Sequence, residues 1–164
     1  HAAARYGDRE LFERFRAAAI ASKDRRDRRT LYAALGSFYD PGIARSALAI
    51  VLDPAHDYRE AIQIAWVQSG TPQGGARAFE FMKANFDALV ARAPRDAAAS
   101  FPRLSGGFCS EAQRADLEGF FRDRAPKFAG GPRILDQTLE RIRLCAAFRE
   151  KQQASLSRFL GRYP

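Results

Sequence analysis

Residues that could carry catalysis are sparse in this sequence. The two histidines, His1 and His56, stand far apart, whereas a zinc peptidase helix places two histidines four residues apart so that both imidazoles reach one ion. The sequence contains no Gly-x-Ser-x-Gly segment, the motif that exposes a serine nucleophile in many hydrolases. We therefore expect no catalytic residue, no cofactor and no metal site within these 164 residues.

The two cysteines, Cys109 and Cys145, offer a second route to chemistry. Either thiol could act as a nucleophile if His56 lay beside it as a base, although nothing in the spacing supports that pair. The spacing also indicates neither a disulfide framework nor a metal-binding motif. Because both cysteines neighbour apolar residues, the favoured interpretation is two free, partly buried thiols, and whether they pair is left open.

Charge is the remaining functional signal. Lys and Arg number 27 against 19 Asp and Glu, which gives a net charge of +8 and favours acidic partners such as nucleic acid, anionic lipid or a peptide carboxylate. The densest run, 23–29, is interrupted by two aspartates and has only Tyr32 nearby as an aromatic. A solvated helix start with local ion pairs is therefore favoured over a nucleic-acid surface. Asp116 and Glu118 are two residues apart, so they face different sides of a helix and cannot act as a close acid/base pair.

The elements that would position these residues are predicted to be helices throughout. Apolar residues recur at the helical period along almost the whole chain, and no two-residue alternation predicts a strand. About eight helices are expected, the last two forming a closing hairpin between residues 135 and 160. The clearest apolar stripe consists of Phe79, Met82, Phe86, Leu89 and Val90.

Helix boundaries are marked by proline, glycine and capping residues. Asp40 and Ser110 are predicted N-caps, and Gln113 completes a capping box with Ser110. The glycine pairs 74–75 and 130–131 are each expected just before a helix, because neither has the spacing of a nucleotide-binding loop. Asn85 is expected to bond a neighbouring backbone group.

Short loops between consecutive helices predict antiparallel hairpins. We expect a single all-α domain spanning residues 1–164, with the hairpins stacked as an irregular HEAT/armadillo-like α-superhelix. No apolar run approaches the length of a membrane helix. The chain starts without Met or a signal peptide, so we expect a piece of a longer protein, from either the cytoplasm or the periplasm.

Several segments resemble one known family. The segment 27–36 (Asp-Arg-Arg-Thr-Leu-Tyr-Ala-Ala-Leu-Gly), followed by Asp-Pro at 40–41, and the segment 75–89 are similar in order and spacing to motifs of the C-terminal helical domain of M1 zinc aminopeptidases. The similarity points to the puromycin-sensitive and endoplasmic-reticulum aminopeptidase branch, and the late segments 108–110, 118–121 and 139–160 extend it. The chain departs from the family by having Phe79, Phe86 and Phe148 where the family has tryptophan.

The resemblance implies a parent enzyme that removes N-terminal residues from peptides. Its zinc would be held by a His-Glu-x-x-His helix and a further glutamate, all upstream of residue 1. The helical domain would enclose the active-site cavity and gate or bind peptides, with Arg77 and Lys83 as the candidate peptide contacts. Expected partners are the upstream catalytic domain and peptide substrate, without membrane or nucleic acid. The alternative is a stand-alone helical-repeat module that binds protein or nucleic acid.

Overall fold

A computed structural model describes residues 2–162, which form helices joined by short loops, with no strand in that range. His1 therefore lies outside the described residues. The α-helices are α1 (Ala2–Arg5), α2 (Arg9–Ala21), α3 (Arg25–Leu35), α4 (Pro41–Ala49), α5 (Tyr58–Ala61), α6 (Gln63–Ser69), α7 (Pro72–Ala84), α8 (Phe86–Arg92), α9 (Glu111–Phe121) and α10 (Gly131–Leu160). Three 3₁₀ helices cover Ile50–Leu52, Ala97–Ser105 and Ala125–Lys127.

Side-chain caps explain where most helices begin. The predicted caps are confirmed: Asp40 accepts a hydrogen bond from the Ile43 amide at 2.8 Å, and Ser110 accepts one from the Gln113 amide at 3.3 Å. The Gln113 side chain returns to accept from the Cys109 amide at 2.9 Å and from the Ser110 hydroxyl at 3.1 Å. This differs from the predicted capping box, because the backbone donor is the residue before the cap and not the cap itself. Each cap satisfies amides that the first turn of a helix leaves without an internal partner.

The structure divides the chain more finely than the predicted eight helices. The apolar stripe 79–90 is broken at Asn85, whose side chain donates to the Phe81 carbonyl at 2.8 Å, as expected. The closing hairpin was predicted wrongly. Residues 131–160 form one continuous helix of 30 residues, because no glycine or proline interrupts the chain between Arg133 and Leu160.

The position of one predicted glycine pair also differs. Residues 74 and 75 lie inside the first turn of α7 instead of preceding it, because Thr71 is the N-cap and the helix begins at Pro72. A Cβ atom at Gly74 would overlap the carbonyl oxygen of Gln68. The glycine is therefore required by the close approach of α7 to the end of α6.

Consecutive helices pack against each other in pairs. The most extensive contacts join α2 with α3, α6 with α7, and α9 with α10, and the 3₁₀ helix Ala97–Ser105 packs between α7 and α10. The loops between α2 and α3 and between α6 and α7 are only a few residues long, so each pair reverses the chain direction. The all-α class is confirmed, and these stacked pairs fit the predicted α-superhelix.

The core contains the stripe that the sequence predicted. Phe79, Met82 and Leu89 are fully buried, and Phe79 and Phe86 belong to a cluster of edge-to-face aromatic rings. Phe79 meets Phe108 and Phe120 with ring centroids 5.1 and 6.2 Å apart. Phe86 contacts the rings of residues 101, 120, 121 and 128 at 5.5–6.3 Å. Phe79 is thus a core residue and Phe86 is partly buried against the core, whereas Phe148, the third position at which tryptophan was expected, is 67% exposed.

The two cysteines are not free thiols, contrary to the favoured interpretation. Cys109 and Cys145 form a disulfide with their Cα atoms 5.1 Å apart, which joins the loop before α9 to the middle of α10. Arg141, one turn earlier on α10, donates to the carbonyls of Ser105 and Gly106 at 3.1 and 2.9 Å. The sequence could not show this pairing because 36 residues separate the two cysteines and only the tertiary fold brings them together.

The second half of α10 projects from this packed region. From residue 147 to residue 160 every side chain is exposed, including Phe148, Leu156, Phe159 and Leu160. No helix among residues 2–162 has the length and apolar character needed to cross a membrane.

Candidate functional site

Helix α7 carries both residues that the sequence marked as peptide contacts. Arg77 and Lys83 lie six positions apart, which separates their side chains by about 120° around the helix axis. Arg77 faces α6 and α4, whereas Lys83 faces α9. The structure therefore does not bring the two cations together in one site.

The Arg77 guanidinium is half-buried and only weakly engaged. Among residues 2–162 its one side-chain hydrogen bond goes to the Gln68 side-chain oxygen at 3.3 Å. The side-chain nitrogen of Gln68 donates to the Ala44 carbonyl at 2.8 Å. Burial lowers the pKa of Arg77, the nearby charge of Arg45 lowers it further, and Asp40 opposes both. Arg45 and Arg77 thus place two positive charges on the α4–α7 surface, and most of the Arg77 donors make no hydrogen bond with the described residues. An anion bound there would be stabilised.

The Lys83 ammonium already has two carboxylate partners. It lies 2.8 Å from Glu80 and 2.9 Å from Asp116, and 4.8 Å from the centre of the Phe79 ring. Burial opposes its charge, but the hydrogen bonds and charges of Glu80 and Asp116 outweigh burial and raise the pKa of Lys83. Lys83 thus joins α7 to α9, and a peptide carboxylate would compete with two resident carboxylates for it.

A buried polar cluster that the sequence did not reveal surrounds the loop 53–56. The His56 ring is buried, its Nδ1 lies 2.8 Å from the Tyr32 hydroxyl, and its Nε2 lies 3.9 Å from Asp53. Burial lowers the pKa of His56, although Asp53 opposes that shift. Arg92 donates to the carbonyls of Leu52, Asp53 and His56 at 2.8–3.3 Å and so fixes the loop against α8.

This cluster lacks the parts of a catalytic centre. The Cys–His pair considered from the sequence does not form, because Cys109 and Cys145 are bonded to each other and the neighbour of His56 is Tyr32. Nε2 of His56 has no hydrogen-bond partner among residues 2–162, and the ring is sealed from solvent. The arrangement is therefore that of a neutral imidazole used in packing. The only feature of the sequence that could have indicated this cluster is the histidine of the Asp-Pro-Ala-His segment at 53–56.

Asp116 and Glu118 both form ion pairs. Asp116 binds Lys83, while Glu118 lies 3.3 Å from Arg114 and 3.4 Å from Arg122. They face different partners, as the two-residue spacing predicts. In the described part of the chain, no group of three or more His, Cys, Asp or Glu side chains is arranged to hold a metal ion.

Comparison with known families adds one finding. A family model described as ERAP1-like C-terminal domain matches residues 1–144. No curated protein matches the chain. The matched region contains every buried core residue described above and ends where α10 leaves the packed part of the structure.

Proposed function

Because this chain belongs to the ERAP1-like C-terminal domain family, we propose that it is the C-terminal helical domain of a larger M1-family zinc aminopeptidase. In this proposal it encloses the active-site cavity of an upstream catalytic domain and gates or binds peptide substrates. The observation that carries the proposal is the family match, which spans residues 1–144 of 164. The motifs at 27–36 and 75–89 support the further proposal that the parent enzyme belongs to the puromycin-sensitive and endoplasmic-reticulum aminopeptidase branch.

We place the zinc in the proposed catalytic domain, because the described residues of this chain do not offer the ligands of a catalytic zinc site. A catalytic zinc takes three protein ligands, usually histidines with a carboxylate. His56 is the one histidine among residues 2–162, and its ring is buried against Tyr32. We therefore assign no step of peptide hydrolysis to this chain. Its proposed contribution is to exclude water from the neighbouring site and to orient the peptide.

Arg77 is the stronger of the two proposed peptide contacts. A guanidinium binds a carboxylate through two parallel hydrogen bonds, and Arg77 has unused donors beside a second cation, Arg45. The C-terminal carboxylate of a bound peptide would offset the repulsion between these two charges. Lys83 is retained as the second proposed contact, although Glu80 and Asp116 already compensate its charge.

A direct test starts with the 164-residue chain alone. We expect no release of N-terminal residues from peptides, with or without added zinc, because the proposed catalytic groups lie upstream. Zinc-dependent turnover by this chain would overturn the proposal. Sequencing the gene upstream of residue 1 gives an independent check, since a His-Glu-x-x-His helix is expected there.

The peptide contact is tested in the full-length enzyme. We expect Arg77→Ala to raise KM for long peptides by about tenfold, the value of one charge-assisted hydrogen bond, while turnover of a single-residue chromogenic substrate stays unchanged. Arg95→Ala is the matched control, because Arg95 is exposed and its side chain makes no hydrogen bond or ion pair with the described residues. Equal effects on long and short substrates would contradict a role for Arg77 in peptide recognition.

A further inference from the structure

An arginine-lined groove opens on the side of the structure formed by α3, α5 and α6. It has a volume of about 640 Å³. Its lining consists of Arg25, Arg26, Arg29, Arg59, Glu60 and Gln63. The first three residues stand in the first turns of α3, and the others come from α5 and α6. Its lining includes neither Arg77 nor Lys83 nor His56.

The four guanidinium groups in this groove have no resident anion. None of them makes an ion pair or a side-chain hydrogen bond with any residue from 2 to 162. The single carboxylate in the lining, Glu60, is occupied by Arg28, whose Nε and Nη2 lie 2.7 and 2.9 Å from its oxygens. The run 23–29 is a solvated helix start, as expected, but the local ion pairs expected within it do not form. Its one ion pair reaches across to α5, and Asp24 is used as the cap of α3.

The walls of the groove are fixed without a ligand. The two-point contact between Arg28 and Glu60 joins α3 to α5, and Arg28 also donates to the Ser22 carbonyl at 3.1 Å. Asp57 caps α5 by accepting from the Arg59 amide at 2.8 Å. The helix segments that carry the four exposed arginines are thus held together by contacts in which the guanidinium groups of those arginines take no part. Such an arrangement creates a persistent positive potential within the groove.

We propose that this groove binds a compact polyanion made of linked phosphate groups. Each guanidinium can donate two parallel hydrogen bonds to a phosphate, and Gln63 adds a neutral donor. Phosphate groups concentrate more negative charge in a small volume than carboxylates do. Four arginines in a groove of about 640 Å³ are best matched by several phosphates joined within one small molecule.

The lining disfavours two larger anionic ligands. Single-stranded nucleic acid is held partly by bases stacked on aromatic rings, and the groove has no aromatic residue in its lining. Tyr32, the aromatic residue that follows the run 23–29 in the sequence, is buried with its hydroxyl against His56. An acidic peptide would need apolar or backbone contacts between its carboxylates, and no apolar side chain lines the groove.

The test measures binding of inorganic tripolyphosphate to the 164-residue chain by calorimetry. The groove variant combines Arg26→Gln, Arg29→Gln and Arg59→Gln. The control variant combines Arg14→Gln, Arg133→Gln and Arg149→Gln, which removes the same charge from exposed arginines that lie outside the groove and have no side-chain partner in the described chain. Circular dichroism and thermal unfolding verify that both variants stay folded.

We expect the unaltered chain and the control variant to bind tripolyphosphate with similar affinity. The groove variant should bind at least about tenfold more weakly, since one charge-assisted hydrogen bond accounts for that factor. Absence of binding to the unaltered chain would overturn the proposal, as would equal losses in both variants. Tighter, groove-dependent binding of a single-stranded oligonucleotide or of a glutamate-rich peptide would also overturn it in favour of that ligand.

Discussion

Removing the disulfide between Cys109 and Cys145 should reduce stability more than most single changes in this chain. The bond closes a loop of 36 residues that contains α9, the 3₁₀ helix Ala125–Lys127 and the first half of α10. In the chain-entropy description, closing a loop of this length lowers the entropy of the unfolded state by an amount equivalent to about 4 kcal/mol at room temperature. For a chain of this size, that difference corresponds to a melting temperature lower by about 8–16 °C.

The assay compares the oxidised chain with the double variant Cys109→Ala/Cys145→Ala in equilibrium urea unfolding followed by circular dichroism. We expect a free energy of unfolding lower by about 4 kcal/mol in the variant. The dependence on urea should also become steeper, because an unfolded chain without the cross-link exposes more surface. Reductant should bring the oxidised chain to the variant's value while leaving the variant unchanged.

Helical content before unfolding should be the same in both proteins. Arg141 still donates to the carbonyls of Ser105 and Gly106, and Ile142 stays buried, so the first half of α10 remains packed without the cross-link. A difference below about 1 kcal/mol would refute the entropic reasoning, since even a loop of 15 residues is assigned about 3 kcal/mol. An equal effect of reductant on the variant would show that the effect does not come from the disulfide.

Three further expectations concern the buried core and the loop 53–56. Burial lowers the pKa of His56 below its ordinary 6.5, so the unfolded chain binds a proton more readily and stability should fall as the pH drops below about 6.5. His56→Gln should abolish that part of the pH dependence in urea unfolding. Arg92→Ala should lower the free energy of unfolding by about 2–3 kcal/mol through loss of charged hydrogen bonds to the loop carbonyls, whereas the exposed Arg95→Ala should change it by less than about 0.5 kcal/mol. Phe79→Ala should cost about 3–5 kcal/mol by leaving a cavity in the aromatic cluster, and an unchanged midpoint would contradict that packing.

The predictable part of this fold is the part that depends on neighbours along the chain. The stripe containing Phe79 and Met82 obeys the helical period because one face of α7 is buried. Asp40 and Ser110 cap their helices through contacts three residues away. Local spacing also decides that Asp116 and Glu118 face different partners. Each of these features follows from helix geometry alone.

Features that depend on distant residues were missed or misassigned. The disulfide joins residues 36 apart, and the partner of Arg28 is 32 residues away. Nothing in the local sequence distinguishes Arg28, which is paired, from Arg29, which lines an open groove. Lys83 matched a family motif, but its carboxylate partner Asp116 lies on another helix. Candidate contacts read from a motif therefore need the tertiary structure to show which of their charges are already compensated.

Part of the net charge of +8 lies in the arginine-lined groove and around Arg77. Arg114 and Arg143 pair with acids three residues away on their own helices, so their charges are largely cancelled locally. The groove arginines have no such partner among the described residues, and Arg77 lies beside a like charge. Unpaired cations that lie close together repel each other and lack the stabilisation of an ion pair. An anion that binds there therefore interacts more favourably than it would with cations that are already paired. In a domain that offers no metal-binding cluster among residues 2–162, these two basic surfaces are the places where binding partners should be sought first.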